Sequence, residues 1–398
     1  MQVKVEMPSM NHYFILKKNL FFKENIMNKV TTIALTGGPC GGKSTSISFL
    51  YQKLSDKGYQ VFVVEEMATN LILSGAAPDK ITNWEFQKML VKLQYNRNKV
   101  YSEMAEKFSK LHNKPVVIIY DRGIPDGKGF MQEDEYSKLL KELGYSEMKI
   151  LDYYDGVFHL VTAADGAPEA YTLDNNEARS ETPEQAIERD RSCLKAWTGH
   201  NHLRVIDNVN KTFEQKLNHL LEEVYALLGI PVPIEIERKY LIEMPDMEKL
   251  NKRYDCTTVN ILQTYLVRRN KNIERRIRQR GANGEYTYYY TEKELIDTGL
   301  SRIEREKKIS QDEYLKLMIE ADTTLHQIMK KRTCFVYKGT YFELDSYGFW
   351  DDKAILEVEL TNESESVELP KGIKLIKEVT NDSRYKNASL ALNCGKID

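Results

Sequence analysis

The stretch from Thr36 to Thr45, Thr-Gly-Gly-Pro-Cys-Gly-Gly-Lys-Ser-Thr, constrains the fold of this chain more than any other. Gly37, Gly42, Lys43 and Ser44 complete the pattern G-x-x-x-x-G-K-S/T. A loop that wraps a polyphosphate must turn its N–H groups inward and let phosphate oxygens approach with no side chain between. Gly37, Gly38, Gly41 and Gly42 meet that need, with Pro39 and Cys40 completing the loop. Lys43 brings a positive charge to the terminal phosphates and the Ser44 hydroxyl offers Mg²⁺ a ligand, while Ser44 and Thr45 open a helix whose N-terminus faces the anion. The apolar run Thr31-Thr-Ile-Ala-Leu precedes the loop, and Ile47, Leu50 and Leu54 follow at helical spacing. Strand, glycine loop and helix, in that order, predict a site for ATP or GTP with Mg²⁺.

The rest of the first half reads as an α/β P-loop fold with a parallel sheet. Val61-Phe-Val-Val ends in Glu65-Glu66, and Pro115-Val-Val-Ile-Ile-Tyr ends in Asp121-Arg122-Gly123. Continuous apolar runs suit parallel strands covered on both faces, and residues at their carboxyl ends lie at the functional edge. Asp121 therefore suits Mg²⁺ binding or proton acceptance, and Arg122 can stabilise phosphoryl charge. Val157-Phe-His-Leu-Val and Leu203-Arg-Val-Ile predict two more strands, and Thr212 to Leu228 a helix closed by Gly229. Thr82 to Leu111 predicts a long helix, with Phe86, Leu90, Leu93, Val100, Met104, Phe108 and Leu111 as its core-facing stripe. The polar stretch Thr162 to Glu181 reads as a lid, and Thr182-Pro-Glu-Gln as a capping box. The helix it opens carries Arg189 and Arg191 on different faces, so at most one reaches the phosphates. On these residues, the region from Asn28 to Gly229 resembles the nucleoside-kinase-like P-loop proteins of the AAA-type ATPase group. That resemblance implies that Glu66 and Asp121 are the carboxylates facing substrate or magnesium.

Beyond Pro231-Val-Pro233 the periodicity changes from helical to alternating. Glu235-Ile-Glu237-Arg-Lys239 puts two carboxylates and a lysine on one face of a strand. The alternation recurs at Arg276-Ile-Arg278, Thr291 with Lys293, Arg302-Ile-Glu304-Arg-Glu306, Lys330-Lys-Arg332, Glu343-Leu-Asp345 and Glu357-Val-Glu359. Gly281-Ala-Asn-Gly284 and Lys338-Gly339 mark hairpins, and Ser310-Gln-Asp-Glu313 caps a helix that can cover the outside of the sheet. Carboxylates two apart on a strand lie about 7 Å apart and repel by roughly 2 kcal/mol at an effective dielectric of about 20. Two such pairs converging in a barrel require cations, and the Arg and Lys facing them require a polyanion.

This half, from about Ile234 to Leu392, resembles the CYTH superfamily of triphosphate tunnel metalloenzymes, whose E-x-E-x-K signature is complete at Glu235, Glu237 and Lys239. The resemblance implies an antiparallel β-barrel of about eight strands with charges pointing into a tunnel. It further implies that Glu235, Glu237, Glu357 and Glu359 bind Mg²⁺ or Mn²⁺, and that Arg276, Arg278, Lys293, Arg302, Lys330 and Arg332 hold a triphosphate. Lys239 would lie near the reacting phosphate. The two-part layout is also similar to the family of TRPL translocation defect proteins, which is associated with GTP and phosphoinositide binding.

With 57 basic against 59 acidic residues in 398, no global field draws the chain to nucleic acid or a membrane surface. Five scattered cysteines without C-x-x-C spacing argue against a disulfide framework or zinc site and fit a reducing cytoplasm. No apolar run approaches the roughly 18 residues of a membrane span. Residues 1–26 read as a disordered tail or a translation-start artefact ahead of Met27, residues 27–230 as the nucleotide-binding domain, 231–233 as linker and 234–398 as the tunnel domain. The expected activities are Mg²⁺-dependent NTP hydrolysis or phosphotransfer in the first domain and triphosphate hydrolysis in the second. Alternatives are a nucleotide switch that binds a phosphorylated ligand without turnover, and adenylate cyclase chemistry in the tunnel.

Overall fold

The computed structural model describes residues 30–170, 182–209, 211–230, 236–268, 273–295, 302–360 and 365–397. In the first half, strands β1 (Val30–Thr36), β2 (Gln60–Val64), β3 (Val116–Asp121), β4 (Gly156–Leu160) and β5 (Leu203–Ile206) form where the apolar runs predict them. They make one sheet in the order β2-β3-β1-β4-β5, with β2–β3 and β4–β5 paired in parallel. The helices of this half include α1 (Lys43–Asp56), α2 (Asn83–His112), α3 (Pro183–Trp197) and α4 (Phe213–Leu228). Thr182 and Thr212 start α3 and α4 with capping boxes, and Gly229 closes α4 at φ 70°.

The second half is antiparallel. Strands β6 (Glu237–Glu243), β7 (Thr257–Leu266), β8 (Ile273–Ala282), β9 (Glu285–Leu295), β10 (Arg302–Ile309), β11 (Ile328–Tyr337), β12 (Thr340–Tyr347), β13 (Lys353–Glu359) and β14 (Leu375–Glu378) form a sheet ordered β10-β9-β8-β7-β11-β12-β13-β6-β14. Asn283-Gly284 and Lys338-Gly339 turn their hairpins with both residues at positive φ, as two-residue type I′ turns require. Helices α5 (Met247–Tyr254), α6 (Gln311–Leu317) and α7 (Asn387–Asn393) complete this half.

Period-two alternation separates the two sheet faces. On the outer face, Tyr240, Ile242, Phe335, Phe342, Leu344, Leu356 and Val358 pack with Leu250 of α5, and Ile277 and Leu266 pack with Tyr314 of α6. Helix α6 thus covers the outside of the sheet, its Ser310 cap accepting from the Glu313 N–H at 3.1 Å. The inner face carries the charged rows, and one of its ends is filled by Leu241, Tyr265, Tyr347 and Ile355 with Leu390 of α7.

The described chain packs as two compact units, one of residues 30–34 with 44–121 and the other of 35–43 with 122–397. The phosphate loop, β4, β5 and the antiparallel sheet therefore share a unit. The expected linker, residues 231–233, lies outside the described residues.

One sequence expectation is corrected. Helix α2 forms, but Leu93, Val100, Met104 and Leu111 are 41–80% exposed. The buried meridian runs instead through Gln87, Leu90, Val91, Gln94, Asn98, Ala105 and Ser109. Phe86 is buried, and Phe108 meets Phe62 of β2 edge-on with centroids 5.9 Å apart. Steps of three, four and seven connect the true meridian as well as the apolar one, and four of its members are polar, so hydrophobicity alone selects the wrong face. Leu90→Ala is expected to cost about 2–5 kcal/mol and Leu93→Ala less than about 1 kcal/mol in chemical denaturation; equal losses would contradict this assignment.

Candidate functional site

The phosphate loop is braced from behind. Gly37 has φ +136°, and a Cβ there would lie 2.2 Å from the Leu160 carbonyl oxygen, so both conformation and space demand glycine. Cys40 accepts a left-handed φ of 54°. The Gly38 N–H donates to Asp190 Oδ1 at 2.6 Å, and the same oxygen accepts from Thr162 N–H at 3.1 Å. Lys216 Nζ donates to the Gly41 carbonyl at 3.1 Å, the Val161 carbonyl at 2.7 Å and Asn208 Oδ1 at 2.8 Å. Burial pushes the Lys216 pKa down to about 8. Burial works to raise the Asp190 pKa, but His159 and the two backbone donors hold it below the ordinary value. Lys43 folds onto the Gly37 and Gly38 carbonyls at 3.1 and 3.0 Å. These are weak acceptors that a phosphate would displace.

The remaining expected residues fall at element ends. Ser44 and Thr45 form the first turn of α1. Glu66 and Asp121 follow or end the paired strands β2 and β3, and Glu66 accepts from the Thr69 hydroxyl at 2.8 Å. Arg122, at φ 64°, donates to Asp126 at 3.3 Å, and Asp126 also accepts from the Thr36 hydroxyl and from Gly123 N–H at 2.8 Å. Arg189 is spent on the Gly129 carbonyl at 2.8 Å and the Phe130 ring, while Arg191 is exposed. Of the expected lid, residues 171–181 lie outside the described residues.

The second charged assembly lines the inner face of the antiparallel sheet. Arg276 and Arg278 point inward; Arg275 lies on the opposite face, bonded to Tyr290 and Glu320. Arg276 pairs with Glu304 at 3.1 Å, Lys293 with Glu304 at 2.8 Å and Arg278 with Glu306 at 2.9 Å. Across the face, Arg332 bridges Glu343, Asp345 at 2.7 Å and Glu357 at 2.6 Å, while Lys330 pairs with Asp345. Lys239 sits between Glu237 at 3.0 Å and Glu357. Burial raises the Glu357 pKa, yet Lys239, Lys330 and Arg332 together hold it well below the carboxylate range. Burial leaves Glu343 raised. Glu359 is taken by Arg204 of β5, which also meets Glu223 at 3.2 Å. Glu235 and the Arg302 side chain lie outside the described residues.

Strand register makes the donor set suitable for a hard divalent cation. Glu359 lies directly opposite Glu237, and Glu357 opposite both Lys239 and Glu343. Carboxylates facing one another across antiparallel strands need positive charge between them, and carboxylate oxygens are the donor type that hard divalent cations take. Lys239, Arg332 and Arg204 supply that charge. Among the described residues, no three His, Cys, Asp or Glu side chains are already gathered in a metal-holding group.

Sequence reasoning missed Asp126, Asp190 and Lys216 at the loop, and Asn201, Arg204 and Arg280 at the sheet. Asp190 stood between two arginines that drew attention to the helix, and Glu343 and Asp345 showed only as another charged row. The others carry no periodic signal.

A model of the AAA domain matches residues 32–216. The chain is also 33% identical over 162 residues to an inorganic triphosphatase of Nitrosomonas europaea, covering 40% of this chain and 97% of that relative. A solved inorganic triphosphatase structure is 30% identical over 40% of this chain and 94% of its own, with a TM-score of 0.29. A Hippeastrum protein named for adenylyl cyclase, with a dominant triphosphatase activity, is 13% identical over 32% of this chain and 80% of its own, with a TM-score of 0.25. The chain thus belongs with the CYTH-like inorganic triphosphatases and carries an AAA domain match in its first half, a fusion of the two. Among the described residues, no helix is long and apolar enough to cross a membrane.

His200, which is buried, gives a pH-dependent test. Its Nε2–H donates to the Tyr154 carbonyl at 3.0 Å and its Nδ1 accepts from His202 N–H at 2.9 Å, an arrangement only the neutral ring satisfies. Burial pushes its pKa from 6.5 down to about 4. Between those values the unfolded chain binds a proton that the folded chain refuses, so stability falls as pH falls. His200→Gln is expected to remove about 3 kcal/mol of the wild-type loss between pH 7 and 4; parallel stability curves would contradict it.

Proposed function

We propose that the antiparallel half hydrolyses a short triphosphate with Mg²⁺ or Mn²⁺, and that the AAA half binds ATP or GTP at the phosphate loop and turns it over. The observation that carries the first reading is the inner face itself, where six basic side chains from four strands lie beside carboxylates in register. Such a face is costly to bury unless its charges have functional partners. The likeness to an inorganic triphosphatase over nearly all of that protein supports the substrate class.

In this reading Arg276, Arg278, Lys293, Lys330 and Arg332 turn from carboxylates to phosphate oxygens, trading one anion for another without losing charge-assisted bonds. Arg302 joins them from β10. Glu235, Glu237, Glu357 and Glu359 would hold the metal, which supplies charge against the leaving phosphate and orients water. Lys239, between two of those carboxylates, faces the terminal phosphoryl group and stabilises charge as its bridging P–O bond breaks. Water adds to the terminal phosphorus, giving orthophosphate and pyrophosphate. At the phosphate loop, Lys43 would leave two carbonyls to meet the β- and γ-phosphates, Ser44 and Asp121 would hold Mg²⁺, and Glu66 and Arg122 would serve the reacting group.

Hydrolysis of tripolyphosphate and binding of a fluorescent ATP analogue separate the two sites. Arg332→Ala is expected to lower tripolyphosphate turnover at least about 100-fold and leave nucleotide binding intact. Lys43→Ala is expected to do the reverse. Equal turnover in wild type and Arg332→Ala would refute the proposed site, and cyclic AMP from ATP would replace hydrolysis with cyclase chemistry.

A further inference from the structure

The sheet does not build its inner face alone. The end away from the Leu241 and Tyr265 cluster meets side chains from the α/β half, within one compact unit. Arg280 continues the row of Arg276 and Arg278, and is held by Asp152 at 3.0 Å and by the Gly199 carbonyl. Asn201 accepts from Arg278 at 3.0 Å and donates to Glu306 at 3.2 Å, while Arg278 and Glu306 meet at 2.9 Å. That closes a three-member ring across β8, β10 and the segment before β5. On the opposite side of the face, Arg204 is paired with Glu359, the carboxylate directly across from Glu237.

We infer that Asn201 and Arg204 are positioning residues of the triphosphate site, so that the α/β half forms one end wall of the tunnel; this rests on the proposed reading of the inner face. The physical argument is local. An arginine on a strand has about 2 kcal/mol of rotamer freedom to lose, and a fixed amide on one side with a carboxylate on the other removes much of that freedom before substrate arrives. Asn201 supplies the amide and also keeps Glu306 from drawing Arg278 along β10. Arg204 acts on the other component. While its guanidinium holds Glu359, a divalent cation must compete for that carboxylate, so Arg204 sets how much metal the site requires.

The test uses the full chain with tripolyphosphate as substrate and Mn²⁺ binding measured directly by paramagnetic resonance of the free ion. Asn201→Ala is expected to raise KM about tenfold with kcat nearly unchanged, the scale of a lost hydrogen bond to a charged group. Asn201→Ser serves as a milder second variant. Arg204→Ala is expected to tighten Mn²⁺ binding about fivefold, the scale of an exposed-edge ion pair, and Arg204→Lys to restore most of the wild-type value. Lys195→Ala removes an exposed pair with Asp255, 3.4 Å apart, and is expected to change neither quantity. Unchanged KM in both Asn201 variants, when Arg278→Ala raises it, would overturn the inference while leaving the site in place. So would unchanged Mn²⁺ affinity in Arg204→Ala, or a shift in Lys195→Ala as large as in Asn201→Ala. If Arg278→Ala and Arg332→Ala both retain wild-type turnover, the reading of the face fails and the inference fails with it.

Discussion

One guanidinium holds the charged face together. Glu343 and Glu357 are direct cross-strand neighbours, Asp345 follows two residues along β12, and all three lie on the inner side of the sheet. Like charges so placed destabilise a sheet. Arg332, reaching from β11, touches all three carboxylates, and Lys330 and Lys239 complete the neutralisation. Removing one partner from a buried network of this kind typically costs about 3–5 kcal/mol, so the residues of the proposed anion site also hold the sheet together. A linkage follows from this. Triphosphate can take the arginines and lysines only if something else takes the carboxylates, and a divalent cation can take the carboxylates only if something else takes the bases. On the proposed reading, metal and triphosphate favour each other's binding through the charges they release.

The phosphate loop uses a different device. Its glycines leave the backbone bare, and the loop keeps its shape because Asp190 and Lys216 bind it from behind. Lys216 also grips Asn208, just beyond β5, and β5 carries Arg204, which pairs with Glu359. The loop and the inner face are thus joined through side chains of one compact unit. The junction is polar. Tyr341 accepts from the Gly199 N–H at 3.1 Å and donates to the His200 carbonyl at 3.1 Å, and Asp152 is bonded to Arg280 and Thr287.

Much of this was legible from residues alone, for physical reasons. The phosphate loop is a contiguous motif, and continuous apolar runs announce buried parallel strands. Period-two alternation announced a charged face in the antiparallel half, but with Arg275 beside Arg276 and Lys331 beside Arg332 it left the inward register open. Capping boxes at Thr182 and Ser310 located helix starts because their chemistry is local. What stayed hidden depends on distance along the chain. Asn201 and Arg204 meet groups of the antiparallel sheet 77 to 155 positions away, and nothing in their immediate sequence marks them. The long helix α2 misled for another reason: Gln87, Gln94 and Asn98 are buried, while Leu93 and Leu111 are exposed.

Diffraction at the manganese absorption edge, from crystals grown with Mn²⁺ and a non-hydrolysable triphosphate, would be the most direct test. Anomalous density is expected against Glu237 and Glu357, with Lys239 and Arg332 turned away from their carboxylates toward phosphate oxygens. Density confined to the phosphate loop, with the ion pairs of Arg332 unbroken, would contradict a triphosphate site on the sheet.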